Sequence, residues 1–245
     1  MTTTHSAGYF GKIPTQGDFM SRRLPRQFIE LWDGWLQQGL SKSQKQLKDQ
    51  WLDKYLNCPV WWFGLSAGLC DDNDWLGVII PSVDRVGRYF PLTIAAPFPP
   101  VASAYFAMVQ ANEWMRKVEN IALYALNEQF DLQHFHDLLD DLGDPNEYCA
   151  PPPLFNAKLN AMLNQTLWRF SAHDPLTTNM ELAFANEQLI KGQNENYSIW
   201  KNSQAKSFVQ STLLCRNLPA PDTFAALLDG QWKKWGWGDW ADVYT

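Results

Sequence analysis

Three strand-like runs follow one another in the first half of the chain: Val60 to Leu65, Trp75 to Pro81 and Arg88 to Ala96. Each is rich in β-branched or aromatic residues and bounded by turn formers. Asp71-Asp72-Asn73-Asp74 is the turn joining the first two. The links are too short for a parallel crossover, which needs roughly a dozen residues or more. The runs therefore read as an antiparallel meander, and the rest of the chain has to pack against that sheet.

Helical periodicity surrounds the meander. From about Pro25, well placed in a first turn, Phe28, Leu31, Trp32, Trp35 and Leu36 recur on one face. Gly39 is the expected end. Ser41-Lys42-Ser43-Gln44 then reads as a capping box for a second helix with the stripe Leu47, Trp51 and Tyr55. Beyond the meander, Ala111, Trp114, Met115, Val118, Ile121, Ala122 and Ala125 predict a long helix from about Ser103 to Asn127, with a shorter one around Leu132 to Leu139. Gly143-Asp144-Pro145 and Pro151-Pro152-Pro153 mark a candidate subdomain boundary near 143–153. Past it, Phe155 to Trp168 reads as a helix and Lys206 to Cys215 as a strand. Asp222 to Leu228 reads as a short helix closed by Gly230. Gly8-Tyr9-Phe10-Gly11 is a short strand leading into a turn-rich loop, Lys12 to Phe19. The expected class is α/β of the α+β kind, in one domain over 1–245.

Composition narrows the function. The 245 residues carry 20 Lys+Arg against 26 Asp+Glu, a net charge of −6. Such an acidic balance gives no global attraction for nucleic acid or anionic membrane. Cys58, Cys70, Cys149 and Cys215 are too widely spaced for a CxxC site. They read as reduced thiols of a cytosolic protein. The first residues lack a basic and an apolar region, so no signal peptide is expected. The uncharged stretch Tyr89 to Asn112 is long enough to span a bilayer, but Pro91, Pro97, Pro99 and Pro100 favour a strand and a helix start instead. Thirteen tryptophans are the chief compositional anomaly. They suit either core packing or an aromatic interface. Four of them, Trp232, Trp235, Trp237 and Trp240, fall in a tail over 231–245.

Few patterns carry chemistry. Gly64-Leu65-Ser66-Ala67-Gly68 matches the nucleophile-elbow string, which would make Ser66 a hydrolase nucleophile. The elbow needs a helix directly after it, and here a turn into a strand follows. His134 and His136 stand two apart and cannot chelate one metal from a helix. The Asp71 to Asp74 turn lacks oxygen ligands at the later EF-hand positions. Neither a P-loop nor GxGxxG occurs. No metal site and no cofactor are expected. The string Pro81-Ser82-Val83-Asp84-Arg85-Val86-Gly87-Arg88-Tyr89-Phe90-Pro91-Leu92 is the most unusual. It is either a hairpin whose Asp84 pairs with an arginine, or an exposed arginine pair for a carboxylate or phosphate.

That string, together with Gly8-Tyr9-Phe10-Gly11-Lys12-Ile13-Pro14, Gly17-Asp18-Phe19 and Leu24-Pro25, resembles the TagF family, also called ImpM. These are type VI secretion-associated proteins of Gram-negative bacteria. Tyr197-Ser198-Ile199-Trp200, and Leu218-Pro219 with Phe224, resemble weaker C-terminal signals of the family. The resemblance implies a longin-like α/β/α sandwich with a mainly antiparallel sheet and additional C-terminal helices. It also implies a non-enzymatic cytoplasmic regulator, a post-translational repressor that binds the forkhead-associated scaffold protein of the secretion system. Some relatives are fused to a metal-dependent phosphatase, for which this chain has no room.

The resemblance supplies no catalytic residues; the expected partner contacts are Lys12, Asp18, Arg85 and Arg88, on two loops able to converge, together with Trp200. Gly11, Pro14, Gly17, Phe19, Asp84, Gly87 and Pro91 are expected to serve structure. The same loops read equally well as a purely structural lock between the N-terminal loop and the hairpin. Two further functions stay open: an assembly subunit anchored by the tryptophan tail, and a serine hydrolase using Ser66. The sequence says nothing about oligomeric state.

Overall fold

The computed structural model describes residues 6–98, 104–148, 196–203 and 208–238. The strands among them are β1 (Gly8–Gly11), β2 (Met20–Arg22), β3 (Trp61–Leu65), β4 (Asp74–Ile80), β5 (Leu92–Phe98), β6 (Tyr197–Asn202) and β7 (Thr212–Arg216). They form one 7-stranded sheet in the order β2-β1-β5-β4-β3-β6-β7, and every neighbouring pair is antiparallel. The meander β3–β4–β5 is its centre, as its short links require. Every residue of β4 is buried, and after Asp74 the run is apolar without alternation.

Helices cover both faces, completing an α/β/α sandwich. On one side lie α1 (Arg26–Leu47), α2 (Trp51–Leu56) and α6 (Ala225–Asp229); on the other, α3 (Ala104–Gln110), α4 (Asn112–Tyr124) and α5 (Leu132–Asp140). The two cores are chemically different. The α1 side is aromatic, with Phe28, Trp32, Trp35, Phe63, Trp75 and Trp200 packed together. Buried indole nitrogens need acceptors. Trp32 donates to Thr93 Oγ1 at 2.8 Å, Trp35 to the Pro219 carbonyl at 2.8 Å and Trp61 to the Leu227 carbonyl at 3.0 Å. The α4 side is filled mainly by Ala111, Val118, Ile121 and Ala122 against Val78, Ile80 and Ile94.

Several boundaries differ from expectation, each for a physical reason. α1 does not end at Gly39. A Cβ there would fall 2.4 Å from Phe224 Cδ2, so the glycine admits a ring from the far end of the chain. Nor do residues 41–44 cap a new helix. Ser43 is buried inside α1, donating to the Leu40 carbonyl and accepting from Trp51 Nε1. The long helix is two, α3 and α4, meeting at Ala111. β5 starts at Leu92 rather than Arg88, because residues 81–91 form a loop pinned by a single bridge, Val83 to Tyr89. Among the described residues the last strand is β7, Thr212–Arg216, and the first part of the expected run, 206–207, lies outside them. Gly230, at φ +70°, closes α6. The expected helix over 155–168 lies outside the described residues, and the candidate boundary near 143–153 is described only to Tyr148.

The described part of the tail, 231–238, folds back onto the body. Trp232 meets Trp61 edge-on at 6.0 Å and Trp237 at 5.5 Å. Trp235 donates to Asp229 Oδ2 and Trp237 to the Thr223 carbonyl. Trp240 lies outside the described residues. No described helix is long and apolar enough to cross a membrane.

Candidate functional site

β1 pairs with β5 through Phe10 and Thr93, so the loop leaving β1 and the loop entering β5 emerge at the same end of the sheet. Their close approach demands a glycine. Gly11 has φ +139°, and a Cβ there would lie 2.1 Å from the Pro91 carbonyl oxygen. Lys12 follows and turns inward.

Its ammonium, on a residue only 4 % exposed, lies 2.8 Å from Asp84 Oδ2. Arg88 Nε donates to the same oxygen at 2.6 Å. The amides of Val86 and Arg88 donate to Oδ1 at 3.0 and 2.8 Å. The chain thus curls around one buried carboxylate, with Gly87 at φ +85° making the turn. Burial by itself would push the Asp84 carboxyl up. The bonds from Lys12, Arg88 and the two amides outweigh it and hold the group well below the usual carboxylate range.

The two loops are stitched elsewhere too. Ser82 Oγ donates to the Lys12 carbonyl at 2.7 Å, and Tyr55 OH donates to the Ser82 carbonyl at 2.7 Å. The Arg85 amide donates to the Gln16 carbonyl at 2.9 Å, and Arg88 Nη2 to the Gly17 carbonyl at 2.5 Å. Phe19 stacks on Phe10 at 5.6 Å, meets Phe90 edge-on at 4.8 Å and lies 5.0 Å from the Lys12 ammonium.

The expected site residues therefore separate. Lys12, Asp18, Arg85 and Arg88 do converge on one corner. Lys12 is nevertheless buried against Asp84 and presents no charge to a partner. Trp200 is 0 % exposed, packed among Trp35, Phe63 and Trp32, and offers no surface either. Both corrections have one cause: the sheet and its neighbouring loops enclose side chains that a linear reading leaves outside. Asp18 is exposed, 3.6 Å from Arg88 Nη2. Arg85 is exposed beside Gly17, whose Cβ position would lie 3.4 Å from Nη2. Pro14 is half-buried, and Pro91 is buried with its carbonyl against Gly11. The sequence reading missed Ser82 and Tyr55 as braces of this corner. Ser82 lay inside the singled-out string, but Tyr55 gave no signal beyond its helical stripe.

Ser66 is buried at the end of β3, with Oγ accepting from the Tyr197 amide at 2.9 Å, and a turn rather than a helix follows. Asp71 Oδ1 accepts from Trp75 Nε1 and the Asn73 amide. Asp74 Oδ1 accepts from the Ala67 amide. The acidic turn thus braces its own hairpin. Among the described residues no cluster of His, Cys, Asp and Glu could hold a metal. Cys58, Cys70 and Cys215 are free thiols, each pushed up to about 12 by burial. Cys149 lies outside the described residues.

Comparison with known proteins follows the same corner. Residues 8–142 match the family model described as the TagF N-terminal domain, type VI secretion system-associated. The crystal structure of PA0076 from Pseudomonas aeruginosa PAO1 is similar over 92 % of this chain and 95 % of that chain, with a TM-score of 0.69 and 32 % identity. No curated protein matches the sequence.

Proposed function

Since the chain belongs to the TagF family of type VI secretion-associated proteins, we propose that it is a non-enzymatic cytosolic regulator. It represses type VI secretion after translation by binding the forkhead-associated scaffold of that system. The observation that carries this reading is the family match over 8–142, which takes in both loops of the braced corner. The corner suits a binding module. Its charges fix the backbone, and Asp18, Arg85 and Arg88 stand at the surface on a support that need not reorganise on docking. Ser66, the one nucleophile that the sequence offered in a motif, is engaged inside the fold by the Tyr197 amide.

The test is calorimetric titration of the purified chain into the purified scaffold of the same bacterium. Saturable binding at concentrations of roughly tens of micromolar or below supports the sequestering reading. Absence of heat across that range overturns it. Overproducing the chain in an actively secreting strain should also lower secretion while leaving the scaffold's abundance unchanged.

A further inference from the structure

We propose that the tip of the 82–90 turn is a preformed docking knob for an acidic segment of a protein partner, in which Arg85 reads the partner's carboxylate and Arg88 is its brace. The inference rests on the reading that this protein acts by binding another. It goes further in assigning the two arginines opposite tasks and in stating the partner's chemistry.

The two guanidiniums lie on one turn in unlike surroundings. Arg88 is committed inward, through Nε to Asp84 and Nη2 to the Gly17 carbonyl, with Asp18 alongside. The Arg85 guanidinium makes no hydrogen bond or ion pair among the described residues, and its residue is exposed. Its backbone is fixed regardless. The Arg85 amide donates to Gln16, and the flanking Asp84 and Gly87 amides donate to Arg88 and Asp84 carbonyls. A cation held on a rigid support loses less freedom when a carboxylate arrives.

Apolar surface accompanies the charge. Val86 is 65 % exposed, Phe19 46 % and Tyr89 37 %. Phe19 is held by stacking on Phe10 and an edge contact to Phe90, and Tyr89 by edge contacts to Trp51 and Tyr55. Arginine and aromatic groups on a fixed frame are the usual composition of an interface hot spot. Charge complementarity selects the partner. Within a chain of net charge −6, the buried Lys12–Asp84 pair cancels internally, and the exposed charges of this corner are the cations Arg85 and Arg88 against the single carboxylate of Asp18. The complementary surface is a carboxylate flanked by apolar side chains.

The test uses the full chain and the purified scaffold in calorimetry at low and moderate salt, with Arg85→Glu, Arg85→Lys and Arg88→Ala, and thermal melts of every variant. Arg85→Glu should weaken binding about 30-fold or more without moving the melt. The wild-type affinity should fall as salt rises, and Arg85→Lys should retain part of it. Equal binding before and after phosphatase treatment of the scaffold supports a carboxylate; loss on treatment overturns it in favour of a phosphate. Wild-type-like binding by Arg85→Glu overturns this inference and leaves the sequestering function standing. Absence of wild-type binding overturns both.

Discussion

Asp84 and Arg85 are sequence neighbours with opposite fates. The carboxylate is 3 % exposed and receives four hydrogen bonds, from Lys12, Val86 and, twice, Arg88. The guanidinium beside it faces solvent, and among the described residues only the Arg85 backbone is hydrogen-bonded. The base of this corner is electrostatics turned inward, where a missing partner leaves a buried charge. The tip is electrostatics turned outward, where water already satisfies the charge. Charge in a string therefore does not mark a contact residue. What decides is whether the backbone closes around the group. Changes at the base should register in stability, and changes at the tip only in binding.

The largest effect is expected from Lys12→Met, which keeps side-chain length and removes the ammonium. Breaking a buried pair costs about 3–5 kcal/mol. The lower end, about 3 kcal/mol, is expected because Arg88 and two amides still hold Asp84. Urea unfolding should show a lower midpoint with an unchanged slope. A midpoint equal to wild type would show that the base is not a lock.

Acid sharpens the contrast next. The native Asp84 carboxyl is held below its ordinary value of 3.8. Its contribution is therefore complete at pH values above 3.8 and is lost as pH falls through the lower native value. Asp84→Asn removes this dependence. At pH 7 the variant should melt well below wild type, and the gap should narrow steadily as pH is lowered below about 4. A gap constant down to pH 2 would mean that the carboxylate's charge is irrelevant to the corner. Ser82→Ala follows in size. It deletes the bond to the Lys12 carbonyl, about 1 kcal/mol, or about 2–4 °C of Tm for a chain of this size.

How far the sequence reveals this corner depends on distance along the chain. The central meander was legible because short links leave one topology open. Helix α4 was legible because its stripe repeats locally. The end of α1 was not, since Gly39 looks like a stop signal until Phe224 is known to sit over it. Lys12 read as a surface charge because the group that buries it is 72 residues away. Tyr55 gave no hint of its bond to Ser82 for the same reason. Trp200 could be anchor or core. Its place in β6, between β3 and β7 and packed on the α1 tryptophans, makes it core. The GxSxG string shows the converse, because its required helix is itself local and its absence could be read directly.

The finest test of base against tip compares two identical truncations on one turn. Arg88→Ala and Arg85→Ala remove the same guanidinium three positions apart, so intrinsic propensity and side-chain size nearly cancel. Arg88 loses a charge-assisted bond to Asp84 and one to the Gly17 carbonyl, but its side chain is 55 % exposed and solvent screens part of both. About 1 kcal/mol of destabilisation is expected. Arg85 has no side-chain partner to lose among the described residues, so its change should stay within about ±0.5 kcal/mol. Scaffold binding should reverse the order, with Arg85→Ala the weaker binder although it is the more stable protein. Equal stability and equal binding in the two variants would erase the distinction between brace and reader, because truncation to alanine leaves both backbones in place and removes only what each guanidinium touches.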